Sequence, residues 1–397
     1  MKHSFLYLIF ILALTIFQHS AYAQDSSHQK NIFKNLNDNG VTFGLSEALE
    51  GYNNFHGGIK TGTAYASTFD ANVNFDLQKL IGLKGAFFYG DFEYHSGDNP
   101  TQKLTGDFQV FDKHNSFPFA QMLELWYQQQ LFSNKLRIKI GKIDANTEFS
   151  VIDNGLEFIN SSTQVTPTLI VFPTFPDPVP AINIFFNPGK LFYTNLAIDD
   201  ANQKAKFLNF YGDPVSVQPT TNGILILSES GLTWNHLFGI EKDGNLKLGL
   251  WTHTGTFQDF KGLPQQSTHG LYVIFNQTLW QPDFANNPAR GIRMFVECAF
   301  TDSTVAPIYA HYGAGMVWQG MWPARPNDAL GITAHYTPLS PGLQSPVHAE
   351  TNIETFYKLN INNWVSLKTD WQYIVHPGGI YRNAVVGMMV LNFALGT

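Results

Sequence analysis

Charge is what this chain has least of. Asp, Glu, Lys and Arg together make up 14% of 397 residues, against about 25% in ordinary soluble domains. The formal charge of −7 argues against a nucleic-acid partner. Cysteine occurs once, at Cys298, so no intrachain disulfide can form. Beyond the first residues no apolar run approaches the roughly 18 needed for a membrane helix. H-E-x-x-H, a cysteine pair, a P-loop and G-x-S-x-G are all missing, so the thirteen histidines have no motif that would give them metal or nucleophile chemistry. No catalytic residue, metal or cofactor is expected, and the chain is not expected to be an enzyme.

Hydrophobic residues reach 44% and aromatic residues 15%. Such a chain, without a spanning helix, suits a β-barrel with a lipid-facing surface; a large secreted sandwich fits less easily. At the start stand Lys2, His3, an apolar run from Phe5 to Phe17 and Ala21-Tyr22-Ala23. This is a secretory signal peptide over 1–23, its apolar run too short to cross a bilayer. Residues 24–40 are polar and are expected to be an N-terminal periplasmic segment, with a helical turn around Ile32 to Leu36. No linker, repeat or composition shift divides 41–397, which is expected to be one barrel domain.

The stretch Ala120–Lys142 sets the pattern. Leu123, Leu125 and Tyr127 alternate with Glu124, Trp126 and Gln128. After the turn Ser133-Asn134, Leu136, Ile138 and Ile140 alternate with Lys135, Arg137 and Lys139. A period of two around a tight polar turn is an antiparallel hairpin. Further strands are expected at Val41–Gly51, Thr63–Asp76, Lys84–His95, Ala181–Asn187, Lys190–Asp199, Asn222–Thr233, Asn245–Gly255, Gly270–Trp280, Arg290–Thr301, Ile308–Gln319, Asp328–Tyr336, Glu350–Asn360, Asn363–Ile374 and Arg382–Phe393. The total is about sixteen, each near the ~9–11 residues of a tilted membrane strand.

Connections tend to alternate between long (Ser96–Pro118, Ile143–Pro180, Asp200–Thr221, Thr256–His269, Thr337–Ala349) and tight (Ser133-Asn134, Pro188-Gly189, Ile361-Asn362), as outer loops and periplasmic turns do. Trp234–Gly244, Gln281–Pro288 and Asp302–Pro307 depart from this rule. Ile143–Pro180 carries Pro167, Pro173, Pro176, Pro178 and Pro180, and proline cannot donate to a strand ladder. That segment is a loop, either on the rim or folded into a lumen. Turning Arg137 and Lys139 toward lipid would cost about 2–4 kcal/mol each near midplane, so the polar set faces inward. The fold expected is all-β, a transmembrane antiparallel barrel wide enough for an aqueous channel.

The chain resembles the OprB-type carbohydrate-selective porins. The resemblance rests on Asn54-Phe55-His56-Gly57-Gly58, the run Asp76–Ala86, Leu123-Glu124-Leu125-Trp126, the run Leu136–Phe149, Phe158-Ile159-Asn160-Ser161, and Trp371–Gly379. It implies a sixteen-stranded outer-membrane barrel through which sugars diffuse, with loops folded inward to a constriction. It therefore favours the inward course for the Pro-rich loop. Two features depart from common patterns. Phe393 is followed by Ala394-Leu395-Gly396-Thr397, so no aromatic residue ends the chain, and only five arginines occur.

Sugars offer hydroxyls to carboxylates, amides, Arg and Lys, and C–H faces to aromatic rings. The candidate lining is Glu124, Trp126, Arg137 and Lys139, together with Asp70, Asp91, Glu93, Trp251, Arg293 and Glu297 on the inward parity. The same charges could equally form an ion-pair network that braces the wall. The partners implied are small-molecule sugars and outer-membrane lipid; a homo-oligomer is left open. The residues alone also allow a general or other small-solute porin, a secreted carbohydrate-binding or adhesion β-protein, or a barrel hydrolase.

Overall fold

The computed structural model describes residues 34–200, 209–212, 223–236, 242–283 and 287–396. The expected signal peptide, 1–23, and the start of the 24–40 segment lie outside these residues. Residues 34–38 are helical, close to the turn expected there.

The strands are β1 (Val41–Gly58), β2 (Gly62–Asp76), β3 (Ala86–Gly97), β4 (Phe119–Leu131), β5 (Leu136–Ile143), β6 (Val179–Phe186), β7 (Phe192–Asp199) and β8 (Asn209–Gly212). They continue as β9 (Leu225–Trp234), β10 (Gly244–Gln258), β11 (Pro264–Trp280), β12 (Gly291–Thr301), β13 (Ala310–Gln319) and β14 (Ala329–Pro338). The last three are β15 (Ala349–Asn360), β16 (Val365–Val375) and β17 (Arg382–Gly396). Each pairs antiparallel with the next, except that β7 pairs directly with β9, while β8 adds only to the edge of β4. β17 pairs with β1 from Gly44↔Gly396 to Gly58↔Arg382, so sixteen strands close a barrel.

Closure removes the free edge that an open sheet would expose. It also gives each strand two faces of opposite chemistry. On β10, Leu246, Leu248 and Leu250 are exposed outward, while Lys247, Trp251 and His253 are buried inward. β12 follows the same rule, with Val296 and Phe300 outside and Phe295, Glu297 and Ala299 inside. Cys298 shares the outward parity and is a free thiol.

Leu123 departs from the expected outward set. The β3–β4 register slips between Asp91↔Glu124 and Phe92↔Met122. The extra residue of this bulge is Leu123, which is buried. A second difference lies at Thr256–His269, expected as a long loop. β10 and β11 instead run on past a register shift at His253/Thr256 and pair as far as Gln258↔Pro264, leaving a short turn. β1 likewise extends beyond Gly51 to Gly58.

The long connections 98–118 and 144–178 leave the same end of the barrel and fold into it. Phe149, Ile152, Phe158, Val171 and Phe172 of the second loop pack on wall residues Phe185, Leu227, Trp251, Tyr272, Phe295 and Phe356. Leu104 and Phe111 of the first join Tyr52, Ala64, Ile374, Val386 and Met388. Each fully buried Phe contributes about 1.5–3 kcal/mol. The Pro-rich segment is therefore held inside by an apolar core of its own.

Candidate functional site: the lumen and its cavity

A loop placed inside a barrel brings backbone N–H groups away from water, and each needs an acceptor. Inward carboxylates of the wall supply them. Glu124 accepts from the Asp144 amide at 3.0 Å, and Glu229 from Ser150 at 3.0 Å. Glu354 accepts from Ile159 and Asn160 at 2.7 and 3.1 Å. Glu350 takes the Phe108 and Gln109 amides, both at 2.9 Å, and Gly378 at 2.6 Å. Such charge-assisted bonds are stronger than neutral ones, so both loops are fixed in place.

Arg137 and Lys139 both donate to Glu148 of the Pro-rich loop, at 2.7 and 2.8 Å and at 2.6 Å. Burial works to raise the Glu148 carboxyl, but Arg137 and Lys139 outweigh it and hold the group below its ordinary value. Arg137 also lies 3.5 Å over the Phe185 ring, and Lys139 lies 4.2 Å over Trp126. Trp126 stacks on Tyr89 at 4.8 Å.

Of the residues expected to line the lumen, Asp70, Asp91, Glu93, Glu124, Trp126, Arg137 and Lys139 form one continuous inner wall over β2 to β5. The other three lie elsewhere. Trp251 is packed against the Pro-rich loop in the apolar core. Arg293 donates to the Ala289 and Pro288 carbonyls and so ties down the turn before β12. Glu297 is buried beside His311 and His335.

Next to that wall, between the two inward loops and β1, β15, β16 and β17, lies a cavity of about 260 Å³. Its ionisable lining is Glu50, Lys113, His114, Glu157, Lys358 and Lys368. Lys358 contacts Glu157 at 2.8 and 3.1 Å, and Lys368 bonds both the Glu157 carboxylate, at 3.3 Å, and its backbone oxygen. Burial opposes ionisation of Glu157, yet the two ammonium groups hold it down to about 2. Lys113 donates to Leu156 O at 3.3 Å, and burial, followed by repulsion from Lys368, pushes it down to about 8. His114 bonds Glu50 at 2.8 Å, and Tyr52 reaches Glu50 and Asp112 at 2.8 and 2.5 Å.

None of these six lining residues was singled out from the sequence. The alternation Glu350, Asn352, Glu354, Lys358 on β15 and Lys368, Asp370, Gln372 on β16 carried a signal, since all but the half-buried Lys358 are buried. Lys113, His114 and Glu157 sit in irregular loops, where no periodicity exists to reveal them.

A closed sixteen-stranded barrel, apolar outside, charged inside and narrowed by its own loops, defines an outer-membrane diffusion porin. The family model described as "Carbohydrate-selective porin, OprB family" matches residues 60–394, and the chain belongs to that family; it is a carbohydrate porin of the bacterial outer membrane. Its sequence is 23% identical to Porin B of Pseudomonas aeruginosa over 87% of this chain and 85% of that protein. The high-pH structure of Pseudomonas putida OprB superposes with a TM-score of 0.80, at 19% identity, covering 92% of this chain and 97% of that one. DcaP, an outer-membrane channel of Acinetobacter baumannii, shares the fold more distantly, with a TM-score of 0.52 at 9% identity over 90% and 98% of the chains.

Proposed function

We propose that monosaccharides and small oligosaccharides cross by facilitated diffusion between two polar lumenal surfaces. One is the wall of Asp70, Asp91, Glu93, Glu124, Trp126, Arg137 and Lys139; the other is the cavity bounded by Glu50, Lys113, His114, Glu157, Lys358 and Lys368. The observation that carries this reading is the cavity, whose ammonium and carboxylate groups can donate to and accept from sugar hydroxyls in alternation. Its volume suits one sugar ring. The stacked Tyr89–Trp126 pair supplies a ring face for sugar C–H groups. The outward leucines of β10 meet membrane lipid.

Reconstitution into liposomes tests the reading. Swelling rates are compared for glucose, a disaccharide and uncharged non-sugar solutes of matched size. Sugars are expected to enter faster than their size-matched controls, and Lys358→Met is expected to remove most of that advantage. Entry that follows size alone in the folded, inserted protein would overturn sugar selectivity.

A further inference from the structure

Glu297, Gly313 and His335 lie in one row across β12, β13 and β14, paired as Glu297↔Gly313 and Gly313↔His335. Gly313 has no side chain, so the carboxylate and the imidazole lean toward each other over it. A Cβ there would stand 2.6 Å from both Glu297 Oε1 and His335 Nδ1. His311, two residues before Gly313 on the same face, closes the group, and all three side chains are buried. Glu297 Oε1 lies 3.5 Å from His335 Nδ1, Glu297 Oε2 lies 3.7 Å from His311 Nδ1, and His311 Nε2 lies 3.1 Å from His335 Nδ1.

The hydrogen bonds settle which atoms hold lone pairs. Thr333 donates its hydroxyl proton to Ala314 O at 2.9 Å. Its oxygen, 3.0 Å from His335 Nε2, can then only accept from that nitrogen. His335 therefore carries its proton on Nε2, and its Nδ1 lone pair accepts from His311 Nε2 in the metal-free protein. Glu297 Oε1 faces that lone pair and has no hydrogen-bond partner among the described residues. The unpartnered Glu297 Oε1 and the His335 Nδ1 lone pair thus point into one buried space, which a proton or a metal ion can bridge.

We propose that Glu297, His311 and His335 bind a divalent transition-metal ion of the zinc type inside the barrel. Two imidazoles and a carboxylate are a common donor set for such ions, and the separations of Glu297 Oε1 and His311 Nε2 from His335 Nδ1, 3.5 and 3.1 Å, bracket the ~3.4 Å edge of a tetrahedron with bonds near 2.1 Å. In the bound state His311 moves its proton to Nδ1, where Thr166 Oγ1 at 3.1 Å accepts it, and frees Nε2 for the ion. Thr333 and Thr166 then hold the outer nitrogens of the two ligand rings, as hydrogen-bonding partners of metal-bound histidine do. Because Thr166 belongs to the Pro-rich loop, the ion fastens that loop to β12, β13 and β14. The site stands apart from the sugar-contact cavity and does not depend on it.

The test uses the full-length mature protein, purified in detergent without a polyhistidine tag, stripped with a chelator and titrated with Co²⁺ and then Zn²⁺. The wild type is expected to retain about one Zn²⁺ per chain through gel filtration. Its Co²⁺ form is expected to show the intense visible bands of four-coordinate cobalt. Glu297→Gln should weaken Zn²⁺ about 100-fold, and His269→Gln, at an exposed position, should leave it unchanged. No retained zinc, or equal zinc in wild type and Glu297→Gln, would overturn the site and leave a proton shared between glutamate and histidine. Should Glu297→Gln fail to fold, the wild-type cobalt spectrum decides, because the weak bands of six-coordinate cobalt would also overturn it.

Discussion

Arg137 holds Glu148 with two parallel hydrogen bonds, 2.7 and 2.8 Å long, joining β5 to the first turn of the loop that fills the lumen. The side chains are 23% and 18% exposed. Removing one partner of a fully buried pair costs about 3–5 kcal/mol; this degree of exposure lowers the expectation to about 1–3 kcal/mol. Arg137→Ala is therefore expected to loosen the loop without unfolding the barrel. Liposome swelling should show faster entry of a trisaccharide, with a smaller gain for glucose. An unchanged size limit would mean that Lys139 alone secures Glu148.

The outward face of β10 gives a second test. Leu248 is 46% exposed, while its neighbour Lys247 points inward and bonds Val151 O at 2.7 Å and Asp153 at 2.9 Å. Leu248→Arg is expected to cost about 2–4 kcal/mol of folding free energy in lipid bilayers if the residue sits near midplane. Leu248→Ala should cost much less. Denaturant titration of the folded barrel in vesicles measures both, and equal costs would show that this face does not meet lipid.

Lys113 sets a pH dependence. Burial and Lys368 push its ammonium down to about 8, whereas in the unfolded chain it holds its proton to about 10.4. Below pH 8 the charged group penalises the folded state. Between about 8 and 10.4 the unfolded chain binds more protons, so stability from this residue rises with pH. Lys113→Met should therefore raise the melting midpoint most at pH 7, by an amount that shrinks toward pH 10. A difference that stays constant with pH would show that the group titrates normally.

The barrel was legible because lipid and lumen impose opposite chemistry on alternate residues. Leu246, Leu248 and Leu250 against Lys247, Trp251 and His253 is a period that no loop imitates. What escaped was whatever breaks that period or lies far apart in the chain. The bulge at Leu123 inverted one residue, and the β10–β11 extension looked like a loop because Gly262 and Pro264 interrupt it. The cavity joins Glu50 to Lys368, and His311 meets Glu297 and His335 only after three strands pair in register. Arg137 and Lys139 were legible as inward residues, but their bonds to Glu148 were not, since only the folded loop brings that carboxylate to them.

Registers of this kind also explain a set of glycines. Tyr272, Gly249 and Glu229 share one row across β11, β10 and β9. The Tyr272 ring lies over Gly249, where a Cβ would stand 2.0 Å from its Cζ, and its hydroxyl donates to Glu229 at 2.7 Å while accepting from the Ser150 amide at 3.1 Å. The absent side chain is thus what lets Tyr272 fasten the loop. Gly249→Ala must push the ring aside and take the Tyr272 hydroxyl from Glu229 and from the Ser150 amide, which still bond each other at 3.0 Å, at a cost of about 0.5–1.5 kcal/mol for each hydrogen bond lost. Tyr272→Phe removes the same hydroxyl but keeps the ring in place. Gly249→Ala is therefore expected to lower the melting midpoint more than Tyr272→Phe does, and both should raise trisaccharide entry. If Gly249→Ala melts with the wild type, the ring yields without strain and the glycine is not what positions it.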